Sequence, residues 1–191
     1  MHFEDGTVMR LYRQTIQDFG LYAGLELTEQ ELEQLHTAAG AMSAKMRAVR
    51  IVSASNVSQK DLERRLIQKG ETPDNAQAAV AWMTDLDLLD DRRTAQQIVS
   101  HCISRGYGLQ RAKQALYEKR IPREYWEEAL SEYPDQMECI MEYLQSRLGR
   151  DYEQRELRRA VDALLRRGHS YSQIRQALNR LSLDTEDFPE E

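Results

Sequence analysis

Only two cysteines occur, Cys102 and Cys139, with no C-x-x-C pair and no histidine at ligand spacing. That excludes a disulfide scaffold and a cysteine-based zinc site, and it suits two small core thiols in a reducing compartment. No run approaches 18 consecutive apolar residues, and the opening MHFEDGTVMRLYR lacks both a basic start and an apolar stretch. Neither a membrane span nor a secretory signal is expected, and a soluble cytoplasmic protein is. Catalytic signatures are missing too. There is no G-x-x-x-x-G-K-[ST], G-x-S-x-G or H-E-x-x-H, and GLYAGLEL is not a phosphate loop. The histidines are scattered, at His2, His36, His101 and His169. Four aspartates gather in DLDLLDD, residues 85–91. At a helix junction they fit a cap for the next helix through Asp90 better than a metal site. No catalytic residue, metal or cofactor is predicted.

Four prolines and nine glycines in 191 residues leave long uninterrupted stretches. Leu, Ala, Gln, Glu and Arg fill them, with little β-branching, and the expected class is mostly α. The lead-in, residues 1–40, differs. An Asp5-Gly6 turn signal followed by alternation through Tyr12 predicts a small β-hairpin. Thr28 and Glu31 then form a capping box for a helix that should stop near Gly40.

Punctuation after residue 40 is regular. Ser58 and Asp61 open a helix ending at Gly70, and Thr72-Pro73 opens another that reaches about Leu89. A helix from about Asp91 to Arg105 meets a Gly106-Tyr107-Gly108 break, and Pro122 starts a further helix to Tyr133. Helical stripes follow at Met137, Ile140, Met141, Leu144 and Leu148, and at Leu157, Ala160, Val161 and Leu164. Ser170 and Gln173 cap a last helix burying Ile174, Ala177, Leu178 and Leu181.

A shift of 50 superimposes Ser58, Leu62 and Leu66 on Gly108, Ala112 and Leu116. A further shift of 62 carries these onto Ser170, Ile174 and Leu178. Three tandem three-helix units result, resembling helix-turn-helix modules, at 41–89, 90–134 and 135–182. The third has an extra helix before its repeat, and residues 183–191 form an acidic tail expected to be disordered.

Charge alternates with this rhythm. The net formal charge is −5 over 1–44, +5 over 45–70, −5 over 71–90 and +5 over 91–124. It continues as −6 over 125–146, +5 over 147–180 and −5 over 181–191. An overall charge of −6 therefore conceals several basic surfaces. A solvated face explains any one basic helix. Repetition across three helices points to a shared surface for a polyanion or an acidic protein partner. Its candidate residues are Lys60, Arg64, Arg65 and Lys69, then Arg105, Tyr107, Arg111, Lys113, Lys119 and Arg120, then Arg166, Arg167 and Arg175, with Arg180 beyond. Single- or double-stranded DNA is one candidate ligand and an unrelated protein partner another. The analogy to major-groove readers is weak on sequence, because three-helix packing is common without DNA binding.

The segments SQKDLERRLIQKG, LDLLDDRRTAQQIVSHCISRGYGLQRAKQALYEKRIPREYWEEAL and LLRRGHSYSQIRQAL, in this order and spacing, resemble RecX-type regulatory proteins, modulators of the RecA recombinase. The likeness spans about residues 3–181. It departs at Arg93-Thr94-Ala95, where the family usually has an aromatic, and at Ala112, which replaces a larger aliphatic. Arg120 also stands where a helix-ending glycine is common. The resemblance implies an all-helical, elongated, curved array of three-helix units, and a monomer is expected. Such a protein binds the RecA nucleoprotein filament and suppresses its ATP hydrolysis, strand exchange and coprotease activity. A crescent of this kind gains avidity by touching adjacent protomers at once.

Overall fold

The computed structural model describes residues 1–4, 6–149 and 152–183. Asp5 and residues 184–191, nearly all of the expected acidic tail, lie outside the described residues. Among those described, the chain forms ten α-helices and no strand. It divides into two compact units, Met1–Asp91 and Arg92–Glu191.

The expected hairpin reduces to one antiparallel bridge between His2 and Val8. Two short segments with no third strand to pack on cannot sustain a ladder. Tyr12 does not extend it but stands at the N-cap of a short helix, α1 (Arg13–Asp18). The Thr28 capping box forms as expected: Thr28 Oγ1 accepts from the Glu31 N–H at 3.2 Å, and Glu31 Oε2 accepts from the Thr28 N–H at 2.9 Å. These bonds, the backbone one first, hold the Glu31 carboxyl below its ordinary value.

The helix they open, α2 (Glu29–Ala54), does not stop at Gly40 but runs straight through it. Gly40 serves closeness, not termination. A Cβ there would come within 2.7 Å of Asn75 Nδ2, at the start of α4 (Pro73–Asp85). Between them lies α3 (Gln59–Gln68), capped by Ser58. Ala44 and Ala48 of α2, Leu62 and Leu66 of α3, and Ala76, Ala79 and Met83 of α4 form the core. Alanines on the facing stripes let the α2 and α4 backbones approach, so the leucines of α3 can fill the wedge.

In the second unit α5 (Asp91–Ser104) and α6 (Leu109–Glu118) are followed by a 3-10 turn, Arg123–Tyr125, and α7 (Trp126–Leu130). The single helix expected from Pro122 to Tyr133 is thus broken in two. The buried residues here are few and small: Ala95, Val99, Leu116 and Ile121. Tyr125, Trp126 and Tyr133 pack against them and supply the bulk that Arg93-Thr94-Ala95 lacks. Finally α8 (Met137–Arg147), α9 (Gln154–Arg166) and α10 (Tyr171–Arg180) share a larger core of Ile140, Leu144, Leu157, Leu164, Ile174 and Leu178.

One device ends α3, α4, α5, α6, α9 and α10. The second residue past the helix takes a left-handed conformation, at Gly70, Asp87, Gly106, Arg120, Gly168 and Ser182. At the break in the middle, Gly106 N–H reaches the Ile103 carbonyl at 2.9 Å and Tyr107 N–H the Cys102 carbonyl at 3.0 Å. At the end of α9, Gly168 N–H reaches Leu165 at 2.9 Å and His169 N–H reaches Leu164 at 3.2 Å. These paired bonds satisfy the last carbonyls of each helix and turn the chain sharply.

The two corners lock together. Gly108 N–H donates to the Arg167 carbonyl at 2.9 Å, and Gln110 N–H to the Gly168 carbonyl at 3.2 Å. Helix α6 has no side-chain cap, whereas Ser58 and Ser170 cap the equivalent helices α3 and α10. Carbonyls at the C-terminal end of α9 do that work instead, and the opposed helix-end charges favour the contact. Space is tight on both sides. A Cβ on Gly108 would strike the Gly168 carbonyl and the His169 nitrogen, and one on Gly168 would strike the backbone of Arg111.

Gly108→Ser would restore the serine found at the other two caps, yet it should destabilise the second unit by about 1–3 kcal/mol, because the contact has no room. Gly149→Ala meets open space and should stay within about 0.5 kcal/mol of the parent. Urea unfolding followed by circular dichroism measures both, and a Gly108→Ser protein as stable as the parent would remove the joint.

Candidate partner-binding surface

Ser58 places α3 so that its basic residues leave the core stripe of Leu62 and Leu66 in different directions. Lys60 is exposed and has no side-chain partner among the described residues. Arg64 and Arg65 are half-buried over Asp61, with Arg64 Nη2 2.7 Å from Oδ1 and Arg65 Nη2 2.9 Å from Oδ2. Asp61 is only 1% exposed. Burial raises its proton affinity, but the two guanidinium groups outweigh that and hold its carboxyl below the ordinary value. Arg64 and Arg65 thus neutralise a buried charge, a role their spacing on the helix allowed but did not reveal.

Across from them, Arg47 of α2 reaches Glu71 Oε1 at 2.9 Å through Nε and the Lys69 carbonyl at 2.6 Å through Nη1. Ser43 Oγ donates to the same carboxylate oxygen at 2.9 Å. Arg47 therefore caps the end of α3 and neutralises the nearly buried Glu71. Beside this contact lies a cleft of about 500 Å³, lined by Tyr12, Arg47, Arg50, Ile51, Ala54, Ser55, Arg65 and Lys69. Arg65 and Lys69 belong to the predicted basic set. Tyr12, Arg47 and Arg50 do not. The +5 charge of residues 45–70 pointed toward the arginines, but α2 had to run unbroken past Gly40 to bring them opposite α3.

In the second unit the middle and third basic sets meet at the glycine corners. Arg105 is exposed just past the end of α5, and Tyr107 is half-buried, its carbonyl accepting from Tyr133 Oη at 2.7 Å. Burial, then the nearby Cys102 and Cys139 thiols, pushes the Tyr133 phenol up to about 12. Arg111 is exposed 3.5 Å from Glu118, with its backbone against Gly168. Lys113 is half-buried on the next part of α6. Lys119 and the left-handed Arg120 close the helix and have partners of their own. Arg166 is exposed, while Arg167 is half-buried over the Tyr143 ring, 4.6 Å from its centroid. Arg175 is half-buried and partnered, and Arg180 is exposed at the end of α10.

Sequence reasoning missed His169 as part of this joint. It is 3% exposed, and its Nε2 lies 3.2 Å from the Gly106 carbonyl. That bond needs a proton on Nε2, which leaves Nδ1 as a buried lone pair without a partner among the described residues. Burial lowers the affinity of the ring for a second proton, the Gly106 carbonyl opposes this in part, and Arg167 adds to the lowering. Cys139 Sγ is 3.9 Å from the same Gly106 oxygen. Cys102 is 3% exposed, and burial raises its thiol despite Arg111 nearby, so it remains protonated and packs as a small apolar residue. Among the described residues no group of three or more His, Cys, Asp and Glu could hold a metal ion, and no helix is long and apolar enough to cross a membrane.

Residues 90–130 match the family described as RecX, second three-helix domain. Among curated proteins, regulatory protein RecX of Vibrio campbellii is 30% identical over 141 residues, 72% of this chain and 91% of the relative. The Xanthomonas axonopodis pv. citri protein of the same name is 34% identical, over 69% of this chain and 83% of its own length. That of Clostridioides difficile is 25% identical over 95% of this chain and 88% of its own. A crystal structure of regulatory protein RecX shares the fold, with a TM-score of 0.67 at 20% identity, covering 93% of this chain and 92% of that one. RecX from Lactobacillus salivarius gives a TM-score of 0.62 at 24% identity, over 76% and 98% respectively.

Because the folded ring resists protonation while a solvated imidazole titrates near 6.5, the unfolded state binds the extra proton first as pH falls. His169 thus contributes stability that is present above pH 6.5 and is lost as pH drops toward the lowered folded value. Unfolding free energy should therefore decrease between about pH 7 and 5, and His169→Gln, which keeps a donor for Gly106, should flatten the decrease. Parallel profiles for the two proteins would contradict the assignment.

Proposed function

Because the chain belongs to the RecX family, we propose that it is a non-catalytic regulator that binds the RecA nucleoprotein filament in the cytoplasm and lowers its ATP hydrolysis, strand exchange and coprotease activity. The observation that carries this reading is the repetition of a capped basic helix. The N-caps of α3, α6 and α10 stand at Ser58, Gly108 and Ser170, each helix buries the same two positions, and each carries cations on the remaining face. A repeated surface suits a repeated partner, since several weak contacts along a filament add into one tight engagement.

The contribution of the cations is not uniform. Arg64 and Arg65 are committed to Asp61 and Arg167 to Tyr143. Arg105 is exposed just after α5, Arg111 is exposed on α6 with a 3.5 Å ion pair to Glu118, and Lys113 has no side-chain partner among the described residues, so they are the stronger candidates for contact. Charge matching of this kind governs association rate and register, and it weakens with salt.

The cognate recombinase's DNA-dependent ATPase, titrated with this protein, tests the reading. Inhibition is expected with the parent. With Arg105→Glu, Arg111→Glu and Lys113→Glu combined, the concentration needed should rise about tenfold or more while the helical circular dichroism is retained. An ATPase unaffected by the parent over a wide concentration range would contradict the regulator, and unchanged inhibition by the triple variant would contradict the assigned face.

A further inference from the structure

The cleft between Tyr12, α2 and α3 shares Arg65 and Lys69 with the basic set of α3, but the rest of its lining has no role in the reading above. Four cations line it, Arg47, Arg50, Arg65 and Lys69, and no carboxylate does. Like charges gathered on a concave, partly apolar wall repel one another, and a bound anion relieves that repulsion. Two of the four are held in place. Arg47 is fixed by Glu71 and the Lys69 carbonyl, and Arg65 by Asp61. Arg50 and Lys69 have no side-chain partner among the described residues. The arrangement is thus a rigid pair flanked by two cations whose donors remain available, and binding has to order only the latter two.

The remaining wall narrows the class of anion. Tyr12 contributes an aromatic ring, with Ile51 and Ala54 as apolar neighbours and Ser55 as a hydroxyl. A sugar and base can lie on such a surface beside their phosphate. An acidic side chain of a peptide would meet the same cations but brings no flat ring to lie against Tyr12. The volume of about 500 Å³ lies within the usual range for a small-ligand site.

We propose that this cleft is a nucleotide-phosphate site, in which Arg50 and Lys69 meet the phosphate oxygens, the anchored Arg47 and Arg65 shape the wall between them, and Tyr12 lies against the adjoining sugar or base. The phosphate can come from a free nucleotide or from a single strand. The site stands apart from the regulator reading, and its test contains no recombinase, so the two can fail separately.

Fluorescence anisotropy of a labelled oligothymidylate, titrated with the full chain at low and moderate salt, is the measurement. Thymidine 5′-monophosphate and polyglutamate serve as competitors. Arg50→Glu with Lys69→Glu should weaken binding at least tenfold with the helical signal intact. Arg159→Glu, exposed on α9 and outside the cleft, should change it less than twofold. Tyr12→Ala should weaken oligothymidylate binding several-fold while leaving competition by inorganic pyrophosphate nearly unchanged. Displacement by the monophosphate assigns the site to free nucleotides, displacement only by unlabelled oligonucleotide assigns it to strands, and either supports the proposal. Absence of binding, equal weakening by Arg159→Glu, or displacement by polyglutamate as effective as by oligonucleotide would each overturn it.

Discussion

Two backbone hydrogen bonds organise the second unit, from Gly108 and Gln110 to the carbonyls of Arg167 and Gly168. They join the free N–H groups at one helix start to the free carbonyls at another helix end, so each terminus satisfies the other. Such a contact requires backbones nearly touching, and only glycine at 108 and 168 permits it. Neighbouring features follow. His169 reaches back to Gly106, Tyr133 ties down Tyr107, and Cys139 packs on the same turn. The core of α5 and α6 is small, but it is joined through this contact to the larger one of α8, α9 and α10.

The same economy of termini governs the basic residues. Arg47 closes the end of α3, Arg64 and Arg65 neutralise a buried aspartate, and Arg167 covers an aromatic ring. A cation so engaged is still positively charged, yet its geometry is set by the fold. Those left with exposed charge, Lys60, Arg105 and Arg166 among them, are the ones whose substitution should cost little in stability. Counting basic residues along a helix cannot make this distinction, since the partner of each is fixed by tertiary packing.

What the sequence made legible was local. Thr28-Glu31, Ser58, Thr72-Pro73 and Ser170-Gln173 mark helix starts by side-chain chemistry that acts within one turn, and all are helix caps in the structure. The repeat that aligned Ser58, Gly108 and Ser170 is likewise a repeat of N-caps. Gly40 misled because a glycine kept for close approach to Asn75 looks in sequence like one that ends a helix. Arg120 shows the converse. It adopts φ 57°, the conformation glycine supplies at Gly70, Gly106 and Gly168, at a cost of roughly 1–2 kcal/mol for a residue with a Cβ. The helix-ending turn is therefore preserved where the residue that signals it is missing. The basic cleft was hidden for a third reason: the fold sets the end of α2 against the end of α3 and brings Tyr12, more than thirty residues earlier, beside them.

Hydrogen exchange at single-residue resolution tests the corner-to-corner joint most directly. If each terminus satisfies the other, the amides of Gly108 and Gln110, which lack any partner in their own helix, should exchange slowly and together, at rates close to those of Leu116 and Leu164 in the core. Exchange of these two amides at the rate of open turns, with the core helices still protected, would contradict the account.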